Sequence, residues 1–168
     1  MKKHTKGFSM IELIIVVAII GIFTGLASIG FGYIQSGNIR SAAQTLNSTL
    51  TQLKYDAMSK ENKQYMYIYQ AGNGYYFMCS DKDASSLSFT TSNGQLLCNT
   101  NCTITVDGGT SIGTTPMKIA YKKGSGGFDT SKSTITQDIT IKSSDGTGSY
   151  YVVHLVTETG KHYVETKS

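Results

Sequence analysis

Gly7-Phe8-Ser9-Met10-Ile11-Glu12 opens a long apolar stretch of this 168-residue chain, directly after a leader that contains three lysines. From Phe8 to Ile29 the sequence has 22 residues, of which only Glu12 is charged. As a helix this stretch would be about 33 Å long, which matches the roughly 30 Å hydrocarbon core of a bilayer. The stretch therefore predicts a helix that can span a membrane.

The carboxylate of Glu12 needs an explanation, because an acidic residue near the middle of a membrane helix costs about 2.5 to 3.5 kcal/mol. Glu12 follows Phe8 by four positions, which is one helical turn. If the chain were cut after Gly7, a new amino group would lie one turn from this carboxylate, or beside it on a neighbouring subunit. The spacing predicts that cleavage and charge pairing belong to one mechanism.

The Lys6-Gly7 pair, Phe8, Glu12 and the apolar run through Ile22 resemble the class III signal of type IV prepilins and type II secretion pseudopilins. The resemblance covers about 20 residues. It is specific, since it requires a basic leader, a glycine, an aromatic residue, a spaced glutamate and an apolar run in that order.

The resemblance implies a structural subunit that is not an enzyme and has no cofactor. A membrane prepilin peptidase/methyltransferase would cleave between Gly7 and Phe8 and methylate the new Phe8 amine. Phe8 and Glu12 would then dock the subunit onto other pilin or pseudopilin subunits at an assembly platform. The implied location is the inner, or cytoplasmic, membrane for the prepilin, and then a cell-surface fimbrium or periplasm-spanning filament.

Three other interpretations compete with this one. A simple membrane-anchored extracellular β domain would explain the leader lysines as positive-inside residues but leaves Glu12 without a role. A secretory signal cleaved before Ser28 would have too long an apolar region, and one containing a glutamate. A buried helix of a soluble protein would need more chain around it than is present.

The predicted fold class is α+β: a long N-terminal membrane-spanning helix packed on an antiparallel β head, the pilin lollipop fold. The predicted divisions are a cleaved leader at 1–7, a transmembrane or filament-core helix at 8–29, an amphipathic continuation at 30–60 and a globular head at 61–168. In the continuation, apolar residues recur at alternating steps of four and three, the spacing of one helix face. These residues are Ile39, Ala43, Leu46, Leu50, Leu53 and Ala57.

Four glycines lie where the two parts of the helix meet, at Gly25, Gly30, Gly32 and Gly37. Each weakens a helix by about 1 kcal/mol relative to alanine, which allows a local bend or melted stretch. Close helix packing through small faces is the other interpretation, and the sequence does not choose between them.

Beyond Lys63 the period becomes two and the turns become rich in Gly and Asn, which predicts antiparallel strands. The first two strands form a hairpin through the turn 71–74, and the last two are joined through 158–160. A loop is expected at 123–130. The predicted strands are 64–70, 75–79, 87–90, 102–106, 117–122, 135–142, 150–157 and 161–165.

The order of elements also resembles the minor-subunit branch of the family, namely the H-type pseudopilin and related minor pilins. The resemblance lies in Ile119-Ala120-Tyr121 before the Gly-rich loop, and in a Tyr and Val strand leading to Thr159-Gly160-Lys161. This branch often has arginine where Lys54 and Lys161 stand here. Lysine keeps the charge but loses the guanidinium fork.

Three cysteines, Cys79, Cys98 and Cys102, lie in the predicted exported head, where a disulfide is chemically allowed. Three cannot all pair, and the sequence leaves the pairing open. A zinc site is the alternative, but no fourth ligand stands at a suitable spacing.

Charge and motifs exclude several function classes. Without the leader lysines, Lys plus Arg falls from 15 to 12 against 11 acidic residues, too even a balance for strong nucleic-acid binding by the whole chain. A local basic patch with Lys118, Lys122 and Lys123 around the Gly-rich loop could still contact DNA, as in a DNA-binding or adhesive minor pilin at a filament tip. The competing interpretation is that these lysines keep the sheet soluble. No catalytic motif is recognisable around His154 or His162.

Overall fold

The computed structural model describes residues 10–99, 101–146 and 148–168, and for residues 25–36 it describes the helix backbone without the side chains. Helix α1 spans Met10–Ser59 without interruption, including the four glycines. The chain divides into two compact units, Met1–Gln35 and Ser36–Ser168, so the second unit contains the end of α1 together with all the strands.

The strands form two antiparallel sheets. The first has the order β3-β2-β1-β6, with β1 at Tyr65–Ala71, β2 at Gly74–Ser80, β3 at Gln95–Asn99 and β6 at Met117–Ala120. The second has the order β5-β4-β7-β8-β9, with β4 at Cys102–Val106, β5 at Thr110–Ser111, β7 at Asp138–Ser143, β8 at Tyr150–Val156 and β9 at Lys161–Lys167. The structure therefore confirms an α+β protein with a helix packed on antiparallel sheets.

The core forms where the last turns of α1 meet both sheets. The six stripe residues predicted from the sequence are all buried, and Ala42 is buried beside them. Met66, Ile68 and Ile119 of the first sheet and Ile104, Ile139, Ile141 and Val153 of the second belong to the same apolar cluster. The stripe therefore positions α1 over the junction of the two sheets.

The prediction of a strand at 87–90 is wrong, because the segment has no regular secondary structure. Leu87 and Phe89 alternate with polar residues as in a strand, but they pack on the outer face of the first sheet, beside Tyr65 and Tyr67. The segment is held there by a side-chain bond, because the Tyr69 hydroxyl donates to the carbonyl of Thr90 at 2.9 Å. A short 3-10 helix at Ala84–Ser86 precedes it.

The strand predicted at 135–142 begins three residues later, because a carboxylate takes the place of a neighbouring strand. The Asp107 carboxylate accepts the backbone N–H groups of Thr136, Gln137 and Asp138 at 2.8 to 3.3 Å. Asp107 itself has φ +46°, the left-handed conformation that aspartate tolerates in turns. β4 has the predicted bounds, and the bounds of the other five predicted strands differ from the observed ones by one or two residues at one or both ends. β3 and β5 were not predicted.

Candidate functional site

The first described turns of α1 present apolar side chains in every direction. Eleven large hydrophobic residues between Met10 and Phe23 are exposed on the single chain, with exposed fractions from 46% at Val16 to 84% at Met10. Burying such side chains stabilises by about 1.5 to 3 kcal/mol each, so a segment of this kind requires lipid or other protein around it. The Thr24 hydroxyl donates to the carbonyl of Ile20 at 2.7 Å, which satisfies that hydroxyl within the apolar segment.

Glu12 is the acidic residue in the first turn of α1 and is exposed. Its neighbours Met10, Ile11, Leu13 and Ile14 are all apolar. A carboxylate in this setting favours a nearby cation. The processing residues Gly7 and Phe8 lie outside the described residues.

The predicted span Phe8–Ile29 is described only in part, because it begins outside the described residues and the side chains from Gly25 onward are not described. Among the residues that the structure does describe, no helix has an apolar run long enough to cross a membrane.

The far end of α1 is fixed to the β8–β9 turn by one lysine. Lys54 Nζ donates to the carbonyls of Thr159 at 2.9 Å and Gly160 at 3.3 Å. These contacts join residues more than 100 positions apart in the sequence. Lys54 and Thr51 lie beside the buried stripe on α1. Thr51 contacts β9, and Lys54 contacts the turn before it.

His162 of β9 lies between α1 and the loop that follows β6. Its Nε2 is 2.9 Å from Thr51 Oγ1 and its Nδ1 is 3.2 Å from the Tyr121 hydroxyl. The Thr51 hydroxyl donates to the Asn47 carbonyl, so Thr51 Oγ1 accepts the Nε2–H. Nδ1 then accepts from the Tyr121 hydroxyl, which is nearer to it than the Gly160 carbonyl at 3.4 Å. Burial lowers the pKa of His162 from 6.5, which agrees with this neutral arrangement. His162 therefore links α1 and β9 to the loop that follows β6.

His154 is also structural. It lies in β8, as predicted, with Nδ1 2.7 Å from Asp138 Oδ1 and Nε2 2.8 Å from Glu165 Oε2. The Tyr163 ring lies beside it, with centroids 4.9 Å apart. All four residues belong to adjacent strands of the second sheet, so the group is a cross-strand network.

The cysteines form one disulfide, between Cys98 and Cys102, with Cα atoms 6.5 Å apart. Cys98 lies in β3 and Cys102 in β4, so the bond joins the two sheets where the chain passes from one to the other. Cys79 is a free thiol. Desolvation, with a smaller effect from the Asp56 carboxylate, raises the pKa of this thiol to about 11. In the described part of the chain, no group of His, Cys, Asp and Glu side chains is arranged to hold a metal ion.

The three lysines predicted to contact DNA have different surroundings. Lys122 and Lys123 line the same cavity beside the Gly-rich loop. Lys118 instead has its Nζ 3.5 Å from Asp83 Oδ1 and 4.9 Å from the centre of the Tyr65 ring.

Comparison with known proteins identifies the N-terminal segment. The family model described as the prokaryotic N-terminal methylation motif matches residues 2–28. Comparisons of the chain with curated proteins and with solved structures gave no match. The matched residues contain the basic leader, Gly7, Phe8 and Glu12, so this chain carries the class III prepilin signal of the type IV pilin and pseudopilin family.

Proposed function

We propose that this chain is a structural, non-enzymatic subunit of a type IV pilus or of a type II secretion-like filament, assembled through its N-terminal helix. The observation that carries the proposal is the exposed apolar segment of α1, which contains Glu12 and lies within the matched methylation motif. A helix with apolar side chains on all sides gains stability only when it is surrounded. The membrane would surround it in the prepilin, and the helices of other subunits would do so in the filament.

Processing prepares the subunit for this exchange of surroundings. In the proposed sequence, the leader lysines keep the N-terminus on the cytoplasmic side, and prepilin peptidase cuts between Gly7 and Phe8. Cleavage removes three positive charges and creates an amino group at Phe8, which the same enzyme methylates. The new terminus is a cation one helical turn from Glu12.

Glu12 then acts as the docking residue. A carboxylate in an apolar surrounding is costly alone but favourable beside a cation. The amino group of Phe8 on a neighbouring subunit supplies that cation at only one axial position, so the pair would fix the register of the incoming helix. The β head, carried on the buried stripe of α1, would remain outside the filament core.

Among the possible filaments, we favour a minor pilin or pseudopilin of the H-type branch. Support comes from the Lys54 contact with the β8–β9 turn, since arginine is frequent at this position and at Lys161 in that branch. Lys54 keeps the positive charge that this contact uses.

The test compares two isosteric substitutions that each remove one negative charge, Glu12→Gln in the helix and Glu158→Gln in the exposed β8–β9 turn. Each variant replaces the native chain in cells, and the amounts in sheared filaments and in membranes are measured with an antibody against the head. We expect Glu12→Gln to be cleaved normally but to enter filaments roughly tenfold less well, because a buried cation would lose its partner.

Glu158→Gln should assemble like the wild type. Wild-type incorporation of Glu12→Gln would remove the docking mechanism. Absence of both variants and of the wild-type chain from every filament fraction would contradict the filament function itself.

A further inference from the structure

A small cavity lies between the end of α1, the start of β1 and the loop that follows β6. Its volume is about 130 Å³, which is room for several water molecules. Buried residues from all three elements form part of its wall: Ala57, Tyr65, Ala120 and Tyr121. The cavity is therefore a concave site against the packed core and not a gap between mobile side chains.

The rest of the lining is strongly charged. Lys63, Lys122, Lys123 and Lys132 face the two carboxylates of Glu61 and Asp129, which leaves an excess of two positive charges. Lys123 Nζ donates to the Glu61 carbonyl at 3.2 Å. The chain without its leader has nearly equal numbers of basic and acidic residues, whereas the lining of this cavity has an excess of basic ones.

Two of the ammonium groups lie close together. Lys63 and Lys132 both line this cavity, and the neighbouring Lys132 is the main cause that lowers the pKa of Lys63. Like charges in one small cavity repel, and an anion between them reduces the repulsion.

Backbone hydrogen bonds fix the segment that carries Lys132. Asp129 N–H donates to the Ala120 carbonyl at 2.9 Å, and the N–H groups of Lys132 and Ser133 both donate to the Asp129 carbonyl at 3.0 and 2.9 Å. Lys63 comes two residues before β1, so its backbone is tied to the first sheet. An ordered backbone limits the positions that the lysine side chains can reach, which lowers the entropy that they lose when they bind a ligand.

We propose that this cavity is a binding site for one small oxyanion with about two negative charges, such as phosphate or sulfate, held between Lys63 and Lys132. Its net charge matches such an ion, and its volume admits one. An extended polyanion is less favoured, because the Asp83 carboxylate near Lys118 offsets the positive charge on that side of the cavity. This site does not depend on the assembly mechanism of α1.

The test uses the full-length chain in an uncharged detergent, with inorganic phosphate as the probe and its ³¹P resonance as the readout. The variant Lys63→Gln/Lys132→Gln is compared with Lys82→Gln/Lys142→Gln, which removes the same charge from exposed positions elsewhere on the head. We expect saturable binding by the wild type, at least tenfold weaker binding by the first pair and a change of less than twofold in the second. Circular dichroism establishes that both variants are folded.

Competition between anions for the wild-type chain provides a second readout that needs no variant. Sulfate should displace phosphate, whereas chloride at the same ionic strength should not. The proposal would be overturned if both variant pairs lost the same phosphate affinity, or if sulfate and chloride displaced phosphate equally. Either result would mean that phosphate responds only to the overall charge of the chain. A third contrary result would be a short DNA duplex that displaces phosphate and binds equally weakly to both variant pairs. That result would show an extended nucleic-acid surface that includes Lys142, and it would overturn the proposal of a site within the cavity.

Discussion

At the scale of single residues, two glycines allow the backbones of distant loops to touch. Gly126, in the loop after β6, and Gly160, in the β8–β9 turn, both have positive φ values, 65° and 61°. A Cβ added at Gly160 would overlap the carbonyl oxygen of Gly126, and one added at Gly126 would lie within 3 Å of Lys54 and Met58. Only glycine fits both the conformation and the space at Gly160.

Gly160→Ala should therefore destabilise the head by roughly 3 kcal/mol, since it combines left-handed backbone strain with a backbone clash. Thermal unfolding followed by circular dichroism should show a midpoint lower by roughly 6 to 12 °C. Gly124→Ala is the matched control in the same Gly-rich segment, because nothing lies within 4 Å of its added Cβ and its φ is not positive. That control should stay within about 0.5 kcal/mol of the wild type. Equal effects of the two variants would mean that the loops do not meet.

His162 should make the stability of the head depend on pH. Its folded-state pKa is lowered from 6.5 by burial, so below about pH 6.5 the unfolded chain binds a proton that the folded chain excludes. Stability should fall as the pH drops from 6.5 toward the lowered value, and be fully present above 6.5. His162→Gln should show a smaller slope over this window in unfolding midpoints measured at intervals between pH 5 and 7.5.

Two carboxylates with shifted pKa values do not titrate in the pH range in which His162 is expected to act. Glu165 has a pKa lowered from 4.5 and Asp56 a pKa lowered from 3.8, so both titrate at more acidic pH. An unchanged slope in His162→Gln would contradict the neutral arrangement between Thr51 and Tyr121.

At the scale of secondary-structure elements, α1 is joined to the second sheet by packing and by Lys54. Lys54→Met keeps the aliphatic stem but removes the donor to two carbonyls, so it should destabilise the head by about 1 to 2 kcal/mol. Lys54→Arg should lose less than half of that, because it keeps a charged donor. The two variants are compared by thermal unfolding. If Lys54→Arg lost as much stability as Lys54→Met, the contact of the charged group with the two carbonyls would not be the source of the stability.

The two sheets are joined by the Cys98–Cys102 bond, which closes a loop of a few residues. Loop-closure entropy for such a size gives roughly 2 kcal/mol of stabilisation. Reduction should lower the unfolding midpoint by several degrees, and Cys79→Ser should leave that response intact. Alkylation of the unreduced, unfolded chain followed by mass spectrometry should add one group, and alkylation after reduction should add three. Three adducts without reduction would contradict the bond.

The same elements show what the sequence can and cannot predict. The helix stripe and the first and last hairpins follow from local periodicity and turn residues, and their predictions were confirmed. The segment 87–90 has strand periodicity but lies across a sheet, because its two apolar residues cover the Tyr-rich outer face. β3 was missed because Gln95–Asn99 does not alternate, and β5 because it has two residues.

At the scale of the whole molecule, the N-terminal signal is the part that the sequence identifies most directly. Gly7, Phe8 and Glu12 belong to a linear signal, so their order alone identifies it. The links within the head join Lys54 to Thr159 and Thr51 to His162, more than 100 residues apart. No local pattern contains such pairs, and only the folded chain brings them together.

The central claim is that this chain is processed at Gly7 and incorporated into a filament through Phe8 and Glu12. Mass spectrometry of filaments sheared from native cells tests it most directly, because one experiment gives both the N-terminal peptide and the abundance of the chain relative to other subunits. The account predicts a methylated Phe8 terminus in the filament fraction, at low abundance for a minor subunit. An intact Met1 terminus, or a start at Ser28, confined to the membrane or the medium would contradict it.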